Sequence, residues 1–116
     1  VDEPTAPYAE MRTDDEVLAL YVRNASDLGR EFSDGDTGLG RMSRASTDMG
    51  NVSQVVPTIH PYVGIGSAPA VNHQAEFAAA CVTPTADAAL LDAATALALT
   101  VVDAATDTAI RTRLLG

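Results

Sequence analysis

Two histidines are the first residues in this sequence that could take part in chemistry. His73 precedes Glu76 by three residues, and an imidazole in that position can bind a metal with one nitrogen while a neighbour orients the other. A zinc site needs three or four protein ligands, and no His-Glu-x-x-His or Cys-x-x-Cys spacing occurs. His73 is therefore either one ligand of a larger site or a helix-capping or surface histidine. His60 lies in a strand-like segment, and if that strand edge is buried a structural role is favoured over metal binding.

A polar segment before this strand-like region is the second candidate. Hydroxyl, carboxylate and carboxamide groups at this density suit a loop that contacts a polar substrate. They equally suit a turn whose side chains bond to their own backbone. A serine nucleophile is not indicated, because no base lies beside it. The candidate residues, grouped around a glycine, are Ser46, Thr47, Asp48 and Asn51.

A helix is the first element that must position these residues. Thr13 and Glu16 fit a capping box, and apolar residues follow at spacings of three and four to about residue 32. The Gly-, Asp- and Ser-rich residues 33–46 then predict a long loop, and long loops are often functional.

Two short strands are predicted next, near residues 52–56 and 58–65. β-Branched residues dominate this region, which is typical of strands. Two prolines within it are expected at bends or sheet edges, because proline cannot donate to a central ladder.

The second half of the chain is predicted to be helical. A short helical segment over residues 73–80 precedes a long helix over about 84–112, with Thr83 as its N-cap and Pro84 in its first turn. Apolar residues cover most of the circumference of the long helix, so burial on more than one side is expected. The remaining elements are too few to cover it, which predicts that the chain is part of a larger α/β sheet layer.

Composition argues against several classes of partner. The formal net charge is −9 and all seven basic residues are arginines, so neither nucleic acid nor an anionic membrane is an expected partner. Asp92 and Asp103 interrupt the most apolar stretch, so no membrane span is predicted.

Cys81 is the sole cysteine, which predicts a buried thiol in a cytoplasmic protein. The first residues carry neither an initiator Met nor a leader, so we expect a processed, cloned or proteolytic piece.

A long motif over residues 46–61 reads Ser-Thr-Asp-Met-Gly-Asn-Val-Ser-Gln-Val-Val-Pro-Thr-Ile-His-Pro. It closely resembles a signature of metal-dependent amidohydrolases of the aminoacylase/carboxypeptidase metallopeptidase family, of the aminobenzoyl-glutamate hydrolase type. The family's next element, Asn-His-x-x-Glu-Phe, is matched by residues 72–77, and an Ala-rich terminal helix follows. The resemblance covers about residues 8–105. Its upstream part, a segment returning from the lid domain, is matched by Tyr21, Asn24, Gly29 and Arg30.

The resemblance implies an α/β fold, the incomplete C-terminal portion of a zinc-exopeptidase-like α/β/α sandwich. Residues 1–12 would lead in from the missing lid (dimerisation) domain, and residues 13–116 would form the C-terminal part of the metal-binding catalytic domain. His73 matches the last metal-ligating histidine of the family, whereas His60 matches no ligand. Two divalent ions, zinc or manganese, are implied for the intact enzyme, with at most a partial site here. The residues matching a cleft-lining loop are Ser46, Thr47, Asp48 and Asn51.

The implied reaction is hydrolysis of the amide bond of an N-acyl amino acid or small peptide. In such enzymes two metals activate a bridging water and a glutamate acts as general base. That glutamate and the other ligands belong to the N-terminal portion, so no catalytic residue is assigned here and the chain alone is expected to be inactive. Its partner would be the missing N-terminal portion, and the exposed apolar helix makes self-association an expected property. The alternative is a non-catalytic binding or regulatory module derived from the same family.

Overall fold

A computed structural model describes residues 7–32 and 47–116, and this part of the chain is mainly helical. The loop predicted over residues 33–46 lies outside the described residues. The helices are α1 (Asp15–Asp27), α2 (Met49–Ser53), α3 (Ala75–Ala80), α4 (Pro84–Thr106) and α5 (Thr108–Leu115).

The expected α/β sandwich is wrong, because residues 7–32 and 47–116 contain no sheet. β-Type pairing in this part of the chain is limited to an isolated parallel bridge between Thr13 and Thr58. The strand predicted over residues 52–56 overlaps the end of α2, and the one over 58–65 does not form, since Thr58 makes only the isolated bridge. A strand is stable only where a neighbour takes up its backbone donors and acceptors. Here the β-branched pattern therefore lies in chain without regular secondary structure instead of in a sheet.

The predicted first helix is confirmed as α1, but its ends differ from the expectation. Asp14, not Thr13, is the N-cap, and its Oδ1 accepts the N–H of Val17 at 3.0 Å. The helix ends at Asp27, earlier than predicted, because Gly29 adopts a φ of 85°. The N–H of Arg30 then bonds to the Ala25 carbonyl at 3.0 Å, the pattern of a Schellman motif.

The long C-terminal helix is present but divided in two. Its predicted start is confirmed, since Thr83 caps α4 by accepting the N–H of Ala86 at 3.2 Å and Pro84 is in the first turn. The predicted continuation to residue 112 is wrong, because the backbone of Asp107 is extended. The Asp107 carboxylate accepts N–H groups of the next turn at 2.9 and 3.0 Å and so begins α5.

The core lies between α1 and α4, which run antiparallel. Tyr21 and Ala25 of α1 pack on Ala96 of α4, with partly buried Leu28, Phe32 and Ile59 around them. Next to this cluster, Nδ2 of Asn24 donates to Oδ2 of Asp103 at 2.8 Å. Ala25 and Ala96 are small and the neighbouring Asn24 is polar, so the apolar area removed from water is modest.

The opposite side of α4 is exposed. Leu90, Leu91 and Val101 leave 67%, 68% and 68% of their surface accessible. Among the described helices, α4 alone is long and apolar enough to cross a membrane by length and composition, a weak criterion that core helices of soluble proteins also meet. The thiol of Cys81 is exposed as well, so the prediction of a buried cysteine is wrong.

Candidate functional site

The described part of the polar segment forms α2 and holds the chain that precedes α1. Oδ1 of Asn51 accepts the N–H of Ala9 at 2.6 Å, and Oγ of Ser53 accepts the N–H of Arg12 at 2.8 Å. Gln54 Nε2 completes the set by donating to the Glu10 carbonyl at 2.6 Å. The carboxamide of Asn51 is therefore occupied in ordering residues 9–12 along α2.

Gly50 allows this close approach. A Cβ atom added at Gly50 would lie 2.0 Å from the carbonyl oxygen of Ala9, far inside any ordinary contact. The glycine in the motif thus serves packing of the preceding segment against α2. This role of Gly50 has no signal in the sequence, because the contact joins positions 41 residues apart.

The other candidate residues of this segment differ in whether their side chains can contact a ligand. Asp48 is exposed, and its side chain makes no capping bond at the start of α2. Oγ1 of Thr47 accepts the N–H of Met49 at 3.3 Å, as expected of a polar turn. Ser46 lies outside the described residues. The Asp48 carboxylate accepts only a long bond from Oγ1 of Thr47, at 3.5 Å, so it is open to a ligand in the described chain.

His73 lies in the turn before α3, and its backbone adopts a φ of 69°. Positive φ is uncommon for a residue with a side chain, and histidine is among the types that tolerate it. The adjacent Gln74 closes the turn by accepting the N–H of Val71 on Oε1 at 3.0 Å. The turn places His73 at the surface, with its imidazole accessible.

An open pocket adjoins this turn. It has a volume of about 650 Å³ and is bounded on one side by a short turn in which Ser67 Oγ donates to the Ala70 carbonyl at 3.1 Å. Gln74 and Glu76, on either side of the α3 start, contribute polar side chains to its wall. A carboxylate and a carboxamide on a concave wall next to His73 can bind the polar or cationic part of a small ligand.

The described residues do not form a complete metal site. No group of three or more His, Cys, Asp or Glu side chains lies close enough to hold a metal within residues 7–32 and 47–116. His73 is thus at most one ligand, whereas zinc needs three or four from the protein. The two-metal centre implied by the sequence does not fit the described residues by themselves.

His60 is a surface residue. Its ring lies 5.1 Å from that of Tyr62 at an interplanar angle of 37°, and both side chains are exposed. The tilted geometry is typical of an aromatic pair. The predicted structural role of His60 depended on burial of this segment, and the exposed side chain does not meet that condition.

Two aspartates that join helices have lowered pKa values. A hydrogen bond from Arg113 holds the pKa of Asp14 below its ordinary value. Hydrogen bonds from Asn24 and Arg23 do the same for the pKa of Asp103. These groups join helices to one another, so their perturbed titration reflects structure, a known alternative to catalysis for such shifts.

Comparison with known proteins identifies relatives over part of the chain. Over 83 residues, 72% of this chain, it is 47% identical to the Xaa-Arg dipeptidase of Homo sapiens, of which the match covers 19%. Over 87 residues, 75% of this chain, it is 42% identical to the Xaa-Arg dipeptidase of Mus musculus, of which the match covers 20%. The chain is thus homologous to these peptidases over a short region and spans about one fifth of their length. No family model and no solved structure matches it.

Proposed function

We propose that this chain forms the C-terminal part of the catalytic unit of a metal-dependent peptidase or amidohydrolase. The observation that carries the proposal is the 47% identity to a dipeptidase over 83 residues. The amide bond of a small peptide or N-acyl amino acid is the proposed target, and dipeptides ending in arginine are the first substrates to test. A formal net charge of −9 also favours the approach of a cationic substrate.

His73 is the proposed metal ligand of this chain. Its imidazole is exposed in a turn that the Gln74 side chain holds closed, which leaves the ring free to bind a partner. Two divalent ions, zinc or manganese, are proposed for the complete site. Since no group of three or more ligand-type side chains forms within residues 7–32 and 47–116, we propose that the other ligands and the general base come from polypeptide outside the described residues.

Asn51 is the proposed positioning residue of the polar segment, because its carboxamide fixes the Ala9 backbone at 2.6 Å. Asp48 and Thr47 are proposed substrate-facing residues, and Ser46 is retained as a proposal from the motif alone. The non-catalytic binding module stays the second candidate function. The observation that favours it is that α1 and α4 form a core within this chain, with Ala96 fully buried.

The experiment is to purify the 116-residue chain, confirm its intact mass, and measure its metal content and its hydrolysis of Xaa-Arg dipeptides. We expect neither stoichiometric metal nor turnover, and weak binding of added zinc that His73→Ala abolishes and His60→Ala does not. Loss of zinc binding in His60→Ala with retention in His73→Ala would reject the ligand assignment. Turnover by the chain alone would reject the proposal that the site is shared.

A further inference from the structure

The pocket that adjoins the His73 turn has a wall held in place by contacts within the described chain. Oγ of Ser67 donates to the backbone carbonyl three residues further on, at 3.1 Å. Oε1 of Gln74 accepts the backbone N–H three residues before it, at 3.0 Å. Gly66 lies so close to α4 that a Cβ atom added to it would be 3.0 Å from Cγ2 of Thr85. Local hydrogen bonds and packing on α4 therefore shape this pocket before any ligand enters it.

The polar groups on the wall favour a cationic ligand. Glu76 contributes a carboxylate to the wall, and an ionised carboxylate only accepts hydrogen bonds. No ion pair within residues 7–32 and 47–116 involves Glu76, and no arginine of the described chain lines the pocket. A guanidinium group has parallel N–H donors that match the two oxygens of a carboxylate. It is therefore the cation that this wall binds best.

The rest of the wall suits the stem of an arginine side chain. Pro69 and Ala70 supply apolar surface to the same pocket, and methylene groups of a long cationic side chain pack on such surface while its head reaches a polar partner. The volume of about 650 Å³ lies within the range of small-ligand pockets. Three residues of chain from His73 to Glu76 span at most about 11 Å. A peptide whose amide bond lies near His73 can thus reach Glu76 with a long side chain.

We propose that Glu76 is the specificity residue of this pocket, where its carboxylate binds the guanidinium group of a substrate arginine. The cation site follows from the pocket itself, whereas its assignment to a peptide substrate rests on the proposed function. An exposed ion pair contributes little in water, so the pairing sets a preference among side chains and leaves most of the affinity to the rest of the ligand.

Nuclear magnetic resonance titration of the full 116-residue chain without metal tests the proposal. The probes are glycyl-arginine and glycyl-citrulline, whose side chains have the same shape but differ in charge. We expect glycyl-arginine to shift the amide signals of Ala70, Gln74 and Glu76, and glycyl-citrulline to bind about three- to fivefold more weakly, the range of a well-aligned exposed ion pair. Glu76→Gln should bind the two dipeptides equally. Glu31→Gln, the same change at an exposed residue outside the pocket wall, should keep the preference.

The contrary outcomes are equally distinct. Shifts confined to residues outside the pocket, equal binding of both dipeptides by the unaltered chain, or a preference that survives Glu76→Gln would overturn the proposal. So would the absence of any shift with glycyl-arginine. The titration needs neither metal nor turnover, so its outcome is independent of the metal and hydrolysis measurements that test the proposed function.

Discussion

Asp14 and Arg113 are joined by two parallel hydrogen bonds, although 99 residues separate them in the sequence. Nη1 of Arg113 lies 2.7 Å from Oδ2 of Asp14, and Nη2 lies 2.9 Å from Oδ1. The same carboxylate caps α1 through Val17, and the Asp14 backbone N–H donates to the Thr58 carbonyl at 2.9 Å. One residue therefore connects α5, the start of α1 and the chain that follows α2.

Replacement of Asp14 should reduce stability through the helix cap and the ion pair together. We expect Asp14→Ala to lower the free energy of unfolding by about 1–2 kcal/mol, the usual cost of a lost N-cap, in urea titrations followed by circular dichroism. Asp14→Asn keeps a capping oxygen but removes the charge, so its loss should be smaller. Equal losses in the two variants would show that the cap contributes nothing.

Acid should weaken the same connection. The hydrogen bond from Arg113 holds the pKa of Asp14 below its ordinary value in the folded chain. The stabilisation from the Asp14–Arg113 ion pair is therefore complete above about pH 4, the ordinary pKa of an aspartate. It is lost as the pH falls through the lowered pKa that Asp14 has in the folded chain. Urea titrations from neutral to acidic pH should show a smaller decline for Asp14→Asn than for the wild-type chain. Parallel declines would contradict this assignment.

Gly50 should not tolerate even alanine. The added Cβ of Gly50→Ala would lie 2.0 Å from the Ala9 carbonyl oxygen, so the preceding segment must move, at a cost of about 1–3 kcal/mol. We expect the amides of Ala9 and Arg12 to lose protection from hydrogen exchange. Gly64→Ala is the matched control, because no atom lies within 4 Å of its added Cβ. Unchanged protection in Gly50→Ala would contradict the packing described here.

Asn24 should affect both stability and the titration of a neighbour. It is 7% exposed and its Nδ2 donates to Asp103 at 2.8 Å. Asn24→Ala should cost about 1–3 kcal/mol and raise the pKa of Asp103, because the Asn24 hydrogen bond is the main cause of its low value. Carboxyl chemical shifts as a function of pH measure this. Arg23→Gln, which removes an exposed partner of Asp103, should have the smaller effect on stability.

The parts of the fold that follow from local sequence were predictable. Thr83 and Pro84 mark the start of α4 through local capping and first-turn preferences. The apolar period of α1 likewise predicts a helix without reference to distant residues. The prediction of two strands failed because β-branched residues favour a strand only where a second strand is available to pair with it. In the described chain Thr58 makes a single bridge, to Thr13. The break between α4 and α5 does have a local signal, because Asp107 is a residue that can cap the next turn. The apolar pattern continues past it, so the sequence predicted one long helix.

The candidate site divides in the same way. His73 and the polar segment are visible in sequence because their residue types are those of ligands and turns. The use of Asn51 and Gly50 to hold Ala9 was not visible, since it depends on a contact across about 40 residues. The connection of Arg113 to Asp14 likewise has no sequence signal, because the two residues meet only after α4 and α5 have formed.

The central claim is that this chain supplies one part of a metal-dependent peptidase site, and a chimera tests it most directly. The matched segment of the human Xaa-Arg dipeptidase is replaced by the homologous segment of this chain, and hydrolysis of Xaa-Arg dipeptides and bound metal are measured. We expect turnover with bound metal, loss of both in the His73→Ala chimera, and retention in the His60→Ala chimera. A chimera that folds and binds metal but has no turnover, or one whose activity survives His73→Ala, would contradict the account.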